Sequence, residues 1–151
     1  ALYGDALFAE ERVDSAAGAY EDALDIDPNH PEALVGRALS ALRAEKTSQA
    51  SELATKAEGA LITRLRPPRV HARLLLAQAK IAMLGQDLEQ AKDKLSKAVL
   101  LPGVSAEAHF WLAEMLAKTK STGASEQYAK YLELEPSGYF AGRAKKALTP
   151  R

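Results

Sequence analysis

Ala16-Ala17-Gly18-Ala19-Tyr20-Glu21-Asp22-Ala23-Leu24-Asp25-Ile26-Asp27-Pro28 is the stretch that decides the fold of this chain. A small residue, an aromatic, a second small residue and a proline stand at Ala16, Tyr20, Ala23 and Pro28. The spacing is helical, and the proline ends the helix because it disfavours helix in the residue before it. The same arrangement returns as Ala124, Tyr128, Tyr131 and Pro136. With the proline one residue early it returns as Ala91, Leu95, Ala98 and Pro102, and a fainter copy is Ala50, Ala54 and Ala57. Successive leading alanines are 34, 41 and 33 residues apart. A period near 34 with helical spacing inside it predicts stacked helical hairpins.

Composition agrees. Of 151 residues, 47% are hydrophobic, mostly the helix formers alanine and leucine, and only 6% are aromatic. There is no cysteine, which excludes disulfides, thiolate metal sites and a cysteine nucleophile. No apolar run approaches the ~20 residues that span a bilayer. Net charge is zero but unevenly spread, with −8 over residues 1–33 and +8 over the remainder. Two readings are open for that asymmetry: an electrostatic partner or head-to-tail self-contact, and ordinary solvated helix faces.

Punctuation places the helices. One begins at Asp14 or Ser15 and ends near Asp25; Pro31 opens the next, which runs to Ala44. Thr47 or Ser48 caps a helix to about Leu61. Arg64-Leu65-Arg66-Pro67-Pro68-Arg69 then interrupts the pattern as a loop and accounts for the long interval. Helices follow from Arg69 to Leu84, from Asp87 to about Leu100, from Ser105 to Lys118, and up to Glu135-Pro136. Ser137 caps a last helix over Gly138–Leu148. The short turns make neighbours antiparallel, and a lone hairpin cannot bury its apolar side, so the units must stack.

In these residues the chain resembles the tetratricopeptide repeat family. Tyr20 to Asn29 is similar to the ending of the family's second helix. The first-helix pattern is carried by Tyr3, Gly4 and Leu7; by Leu34, Arg37, Ala38 and Ala41; by Leu75, Gln78, Ala79 and Ala82; and by His109, Leu112, Ala113 and Leu116. Arg37 and Gln78 stand where the pattern has apolar residues, Ala54 replaces the aromatic, and Ile62 takes the place of the proline. The resemblance implies an all-α, right-handed superhelix of stacked antiparallel hairpins with a C-terminal capping helix. It divides residues 1–151 into one domain: a truncated first repeat 1–29, repeats 30–66, 67–103 and 104–136, and a cap helix 137–149, whose Tyr139, Phe140 and Arg143 resemble the family's solvating cap. The start at Tyr3-Gly4 reads as mid-repeat, which suggests a piece of a longer protein. Alanine richness hints at a bacterial source.

The first helices of such an array line its concave side. One residue on from the seam, the expected lining is Val35, Leu39 and Leu42, then Leu76, Lys80 and Met83, then Phe110, Glu114 and Ala117. As a mainly apolar strip it would take an apolar or amphipathic peptide segment of another protein. Tight superhelical packing, or cover by the cap, would bury it instead. The family's carboxylate clamp is not expected, since Val35 and Leu39 hold the polar positions and Asn29, the chain's only asparagine, is in a turn. Arg64, Arg66, Arg69, His71 and Arg73 form a secondary basic loop, either a grip for phosphate or acidic segments or simply solvated. Trp111 lies off the seam, as an interaction anchor or packed against a neighbouring unit.

Chemistry-bearing patterns are weak. Asp25, Asp27 and Asn29 imitate the start of a calcium loop, but His30 and Gly36 replace its glycine and closing glutamate. His30, His71 and His109 show no ligand spacing. No phosphate loop or serine elbow appears, and one basic loop on a neutral chain is a poor nucleic-acid footprint. The expectation is therefore an interaction scaffold without catalytic site, metal or cofactor. An accessory domain recruiting substrate to a catalytic domain elsewhere, and a self-assembly module, are the alternatives. If the repeat register is right, Tyr20→Ala or Tyr128→Ala leaves a cavity costing on the order of 3 kcal/mol. Unchanged thermal melts for both variants would reject the register.

Overall fold

Short turns and alanine-rich seams give the chain little choice but to stack. In a computed structural model of the protein, which describes Gly4 and residues 12–150, every regular element among the described residues is a helix. They are α1 (Val13–Ile26), α2 (Pro31–Arg43), α3 (Thr47–Thr63), α4 (Pro68–Leu84), α5 (Leu88–Ala98), α6 (Ala106–Lys118), α7 (Ala124–Leu134) and α8 (Ala141–Leu148). Each packs on the next, α2/α3, α4/α5 and α6/α7 form the tightest hairpins, and the result is an all-α solenoid. Tyr3 and Leu7 lie outside the described residues.

The three hairpin turns share one construction. Glu45, Gln86 and Lys120 adopt the left-handed conformation, with φ of 59°, 61° and 53°. Behind each, the next N–H reaches back to a carbonyl one turn and more earlier: Lys46 to Ala41, Asp87 to Ala82 and Ser121 to Leu116, at 2.8–2.9 Å. This is the Schellman ending, which satisfies carbonyls the helix would leave open, and glycine is its usual left-handed residue.

Helix starts differ from the expected caps. Asp87 does cap α5, accepting from the Gln90 N–H at 3.0 Å. Lys46 rather than Thr47 or Ser48 precedes α3, Arg12 precedes α1, and α8 begins at Ala141 beyond a turn rather than at Gly138. The long repeat interval is also absorbed differently. Most of the extra residues are helical: α3 and α4 each have 17 residues, against 11–13 in the other hairpin helices. Only residues 64–67 remain as connection.

Small residues decide how closely the units approach. Ala38, Ala79 and Ala113 are fully buried where helices cross, and Tyr20, Leu95 and Tyr128 fill the spaces between hairpins. Tyr20 has the tightest seat. A Cβ at Gly36 would lie 2.2 Å from its ring, and one at Gly4 would lie 2.6 Å away. The ring thus sits between two backbones with no side chains to spare.

The uneven charge of the sequence is partly met inside the fold. Arg37 donates to Glu21 at 2.9 Å, Arg66 donates to Glu32 at 2.9 Å, and Arg64 pairs with Asp27 through its two terminal guanidinium nitrogens. The acidic first segment and the basic connection are clasped together. Arg64 holds the Asp27 carboxyl below the usual carboxylate range. Asp27 also accepts the Asn29 N–H at 3.1 Å, so the apparent calcium-loop residues form a turn and an ion pair.

Two glycine-to-alanine substitutions separate packing from propensity. Gly36→Ala should lower stability by roughly 1–3 kcal/mol, because overpacking against Tyr20 outweighs the helix gain. Gly59→Ala, in the exposed middle of α3 with nothing within 4 Å of its new Cβ, should raise stability by about 1 kcal/mol. Urea melts read both, and equal effects would contradict the seat described for Tyr20.

Candidate interaction groove

The spacing between successive first helices is not uniform. α2 packs directly on α4, but no comparable contact joins α4 to α6. Side chains bridge that wider gap. Leu76, Ala79, Leu112 and Met115 close its floor as buried core. Above them Lys80 pairs with Glu107, and the same Glu107 oxygen accepts the Trp111 indole N–H at 2.9 Å.

Toward the C-terminal turns of the first helices the gap opens into a groove of about 340 Å3. Leu42 and Arg43 line it from α2, Lys80, Met83 and Leu84 from α4, Leu88 from α5, and Trp111, Met115 and Lys118 from α6. Its volume lies in the usual range for binding clefts, roughly 300–1,000 Å3. Its surface is mainly thioether, aliphatic and indole, with cations at the edge.

Only part of the expected strip reaches this groove. Leu42, Lys80 and Met83 line it and are half-buried. Val35 and Leu39 are buried in the cluster that also holds Val70 and Leu74, so the close α2–α4 packing removes them from any surface. Leu76 is buried under the groove. Phe110 is buried beneath the cap, stacked on Phe140 with centroids 4.2 Å apart and planes 8° from parallel. Glu114 is half-buried and turned to the cap side: Tyr128 donates its hydroxyl to it at 2.7 Å, and Arg143 donates at 2.8 Å. Ala117 is exposed outside the lining. The stripe one residue beyond the seam therefore faces the next hairpin over most of its length, and opens outward only near the helix ends.

Arg43, Leu84, Leu88, Met115 and Lys118 were not foreseen as lining. Their signal in the sequence is faint, since it depends on how far apart two helices stand. Trp111 is half-buried: it packs edge-on against Phe110 and Phe140, with centroids 5.2 Å away in each case, and also borders the groove. The basic loop does not converge on one point. Arg64 and Arg66 are engaged by Asp27 and Glu32, Arg73 reaches the Tyr20 hydroxyl at 3.4 Å, and Arg69 is exposed. His109 is buried, its Nδ1 2.8 Å from the Gln127 Oε1. No group of three potential metal ligands clusters among the described residues. Nor is any helix of the described residues long and apolar enough to cross a membrane.

The family model of the tetratricopeptide repeat matches residues 2–64 and again 76–139. The chain belongs to the tetratricopeptide repeat family. Solved structures of tetratricopeptide proteins share its fold. YrrB, described as a TPR protein with an unusual peptide-binding site, is 22% identical; the alignment covers 96% of this chain and 74% of that one, with a TM-score of 0.56. TTC0263, a thermophilic TPR protein of Thermus thermophilus, is 24% identical over 97% of this chain and 95% of its own, with a TM-score of 0.57. In the Cut9–Hcn1 structure of the APC/C, a chain 15% identical superposes at a TM-score of 0.77; 99% of this chain is covered but only 29% of that one. Comparison with curated proteins found no match in sequence. As a tetratricopeptide array the protein is an interaction scaffold that binds other proteins or peptides.

The cap makes a pH prediction. Burial, and then the bond to Glu114, push the Tyr128 phenol well above its ordinary range, and burial raises that of Tyr131. A raised phenol stabilises the fold fully below the unfolded value of about 10 and loses that contribution as pH rises beyond it. Thermal stability should therefore fall above about pH 10. Tyr128→Phe, which keeps the ring and drops the hydroxyl, should show a shallower alkaline fall, and an unchanged slope would contradict the assignment.

Proposed function

We propose that the groove along the C-terminal turns of α2, α4 and α6 receives an apolar segment of a partner protein. The observation that carries this reading is a trough of thioether, aliphatic and indole surface, floored by Met115 and built from three successive first helices. Met83 offers a polarisable, adaptable wall, and Trp111 offers a large flat one. YrrB supports the reading by kind: it is a related fold described as having a peptide-binding site. The internal pairing of the acidic first segment with Arg37, Arg64 and Arg66 counts against self-assembly driven by charge asymmetry.

The substitutions that test this must avoid buried positions. Met83→Glu and Leu42→Glu place a charge on half-buried lining; Ile62→Glu, on an 83% exposed residue outside the lining, is the control. Proteins captured from lysate by the wild-type chain should be lost, by roughly tenfold or more, with Met83→Glu and kept with Ile62→Glu. Addition of a captured partner should also shift the emission of Trp111, the chain's only tryptophan. Equal capture by wild type and Met83→Glu would reject the groove.

A further inference from the structure

A second trough, of about 380 Å3, lies on the side of the second helices, walled by α3 and α5 and floored by α4. It shares no lining residue with the groove of the first helices. Register explains why it is open. Arg37 and Gln78 each precede a seam alanine, Ala38 and Ala79, and so stand at the same place in successive units. In the second unit Arg37 bridges to Glu21 on the preceding second helix, at 2.9 Å. In the third unit Gln78 replaces the arginine, and Thr55 stands where Glu21 did. The Thr55 hydroxyl is spent on the Ser51 carbonyl, 3.0 Å away in its own helix. Gln78 is left in the trough with no partner among the described residues. In the fourth unit the place is taken by Leu112, which is buried. Of the three units, the third alone leaves this position neither paired nor covered.

The walls carry opposite charges that nothing among the described residues neutralises. Glu58 on α3 and Lys94 on α5 both line the trough, and neither makes a hydrogen bond or ion pair there. The flanking Lys92 and Lys97, by contrast, pair with Glu89 and Asp93. His71 of α4 completes the polar lining. Between the walls the surface is aliphatic, from Leu74 and Leu75 of α4 and Leu101 beyond α5. One turn on from Glu58, Ile62 stands on the rim and is 83% exposed. The face therefore has both signs of charge, a projecting aliphatic side chain and an aliphatic hollow. Those are the parts of an isologous interface, in which a two-fold axis sets each feature against its counterpart. Walls of one sign would repel a second copy of the chain; walls of opposite sign attract it.

We infer that this trough is the contact through which the chain forms a two-fold dimer. α3 of each copy lies along the trough of the other. Ile62 enters the aliphatic hollow of the partner subunit, and Glu58 meets Lys94 of the partner subunit, with the same pairs repeated across the axis. The Gln78 amide, which donates and accepts alike, is then covered by the incoming helix. The dimer does not depend on the uneven charge along the chain, part of which the pairs of Arg37, Arg64 and Arg66 already meet.

Sedimentation of the whole chain over a micromolar-to-millimolar series tests this. The mass should rise from 16.2 kDa toward twice that value. Glu58→Lys and Lys94→Glu should each weaken the dimer by roughly tenfold or more, because each sets like charges together on both sides of the axis. Mixing the two variants should restore association, and so should the double variant, since each arrangement brings opposite charges together again. Ile62→Glu should also dissociate the dimer while leaving capture by the groove of the first helices intact. Melts check that every variant folds. A chain that stays monomeric throughout the series would overturn the proposal. So would a dimer that the single reversals leave unchanged, or one that their mixture fails to rescue.

Discussion

Close approach between successive helices governs this array, and it depends on which residues lack bulk. Tyr20 can fill the first inter-unit space only because Gly4 and Gly36 present bare backbone to its ring. Ala38, Ala79 and Ala113 allow the hairpins themselves to close. Where α2 meets α4 the approach is close enough to bury Val35 and Leu39. Between α4 and α6 it is not, and Trp111, Lys80 and Glu107 occupy the width. The groove is thus centred where the same packing rule is relaxed, between α4 and α6, with Leu42 and Arg43 of α2 at its edge.

The repeat architecture was legible in the sequence because it rests on local chemistry. Prolines, caps and the 3.6-residue period act within one helix, and each of them can be read without knowing what the helix touches. The groove was only half legible. Leu42, Lys80 and Met83 belong to the expected stripe, but Val35, Leu39 and Leu76 belong to it equally and are core. Periodicity tells which side of a helix faces its neighbours, and says nothing of how near the neighbour stands. Phe110 illustrates a second limit. It is covered by Phe140, from beyond the next helix, through a stacking contact that no spacing rule reveals.

The clasp of Arg64 on Asp27 and Arg66 on Glu32 changes the meaning of the charge asymmetry. These pairs are partly exposed, and solvent-screened pairs of that kind add little to stability. Their effect is geometric. The lengthened α3 and α4 carry residues 64–67 back to the turn between α1 and α2, and the guanidinium groups fix them there.

The left-handed residues of the hairpin turns carry a consequence for how this array can change. Glu45, Gln86 and Lys120 each hold a conformation that costs an L-residue roughly 1–2 kcal/mol and costs glycine nothing sterically. The turns form because the backbone bonds behind them are worth more than the strain. The protein therefore stands below the stability its own backbone would permit, with the shortfall distributed over three equivalent surface positions. A lineage that drew on that reserve could accept costly substitutions elsewhere, in the groove above all, and still keep the stack intact.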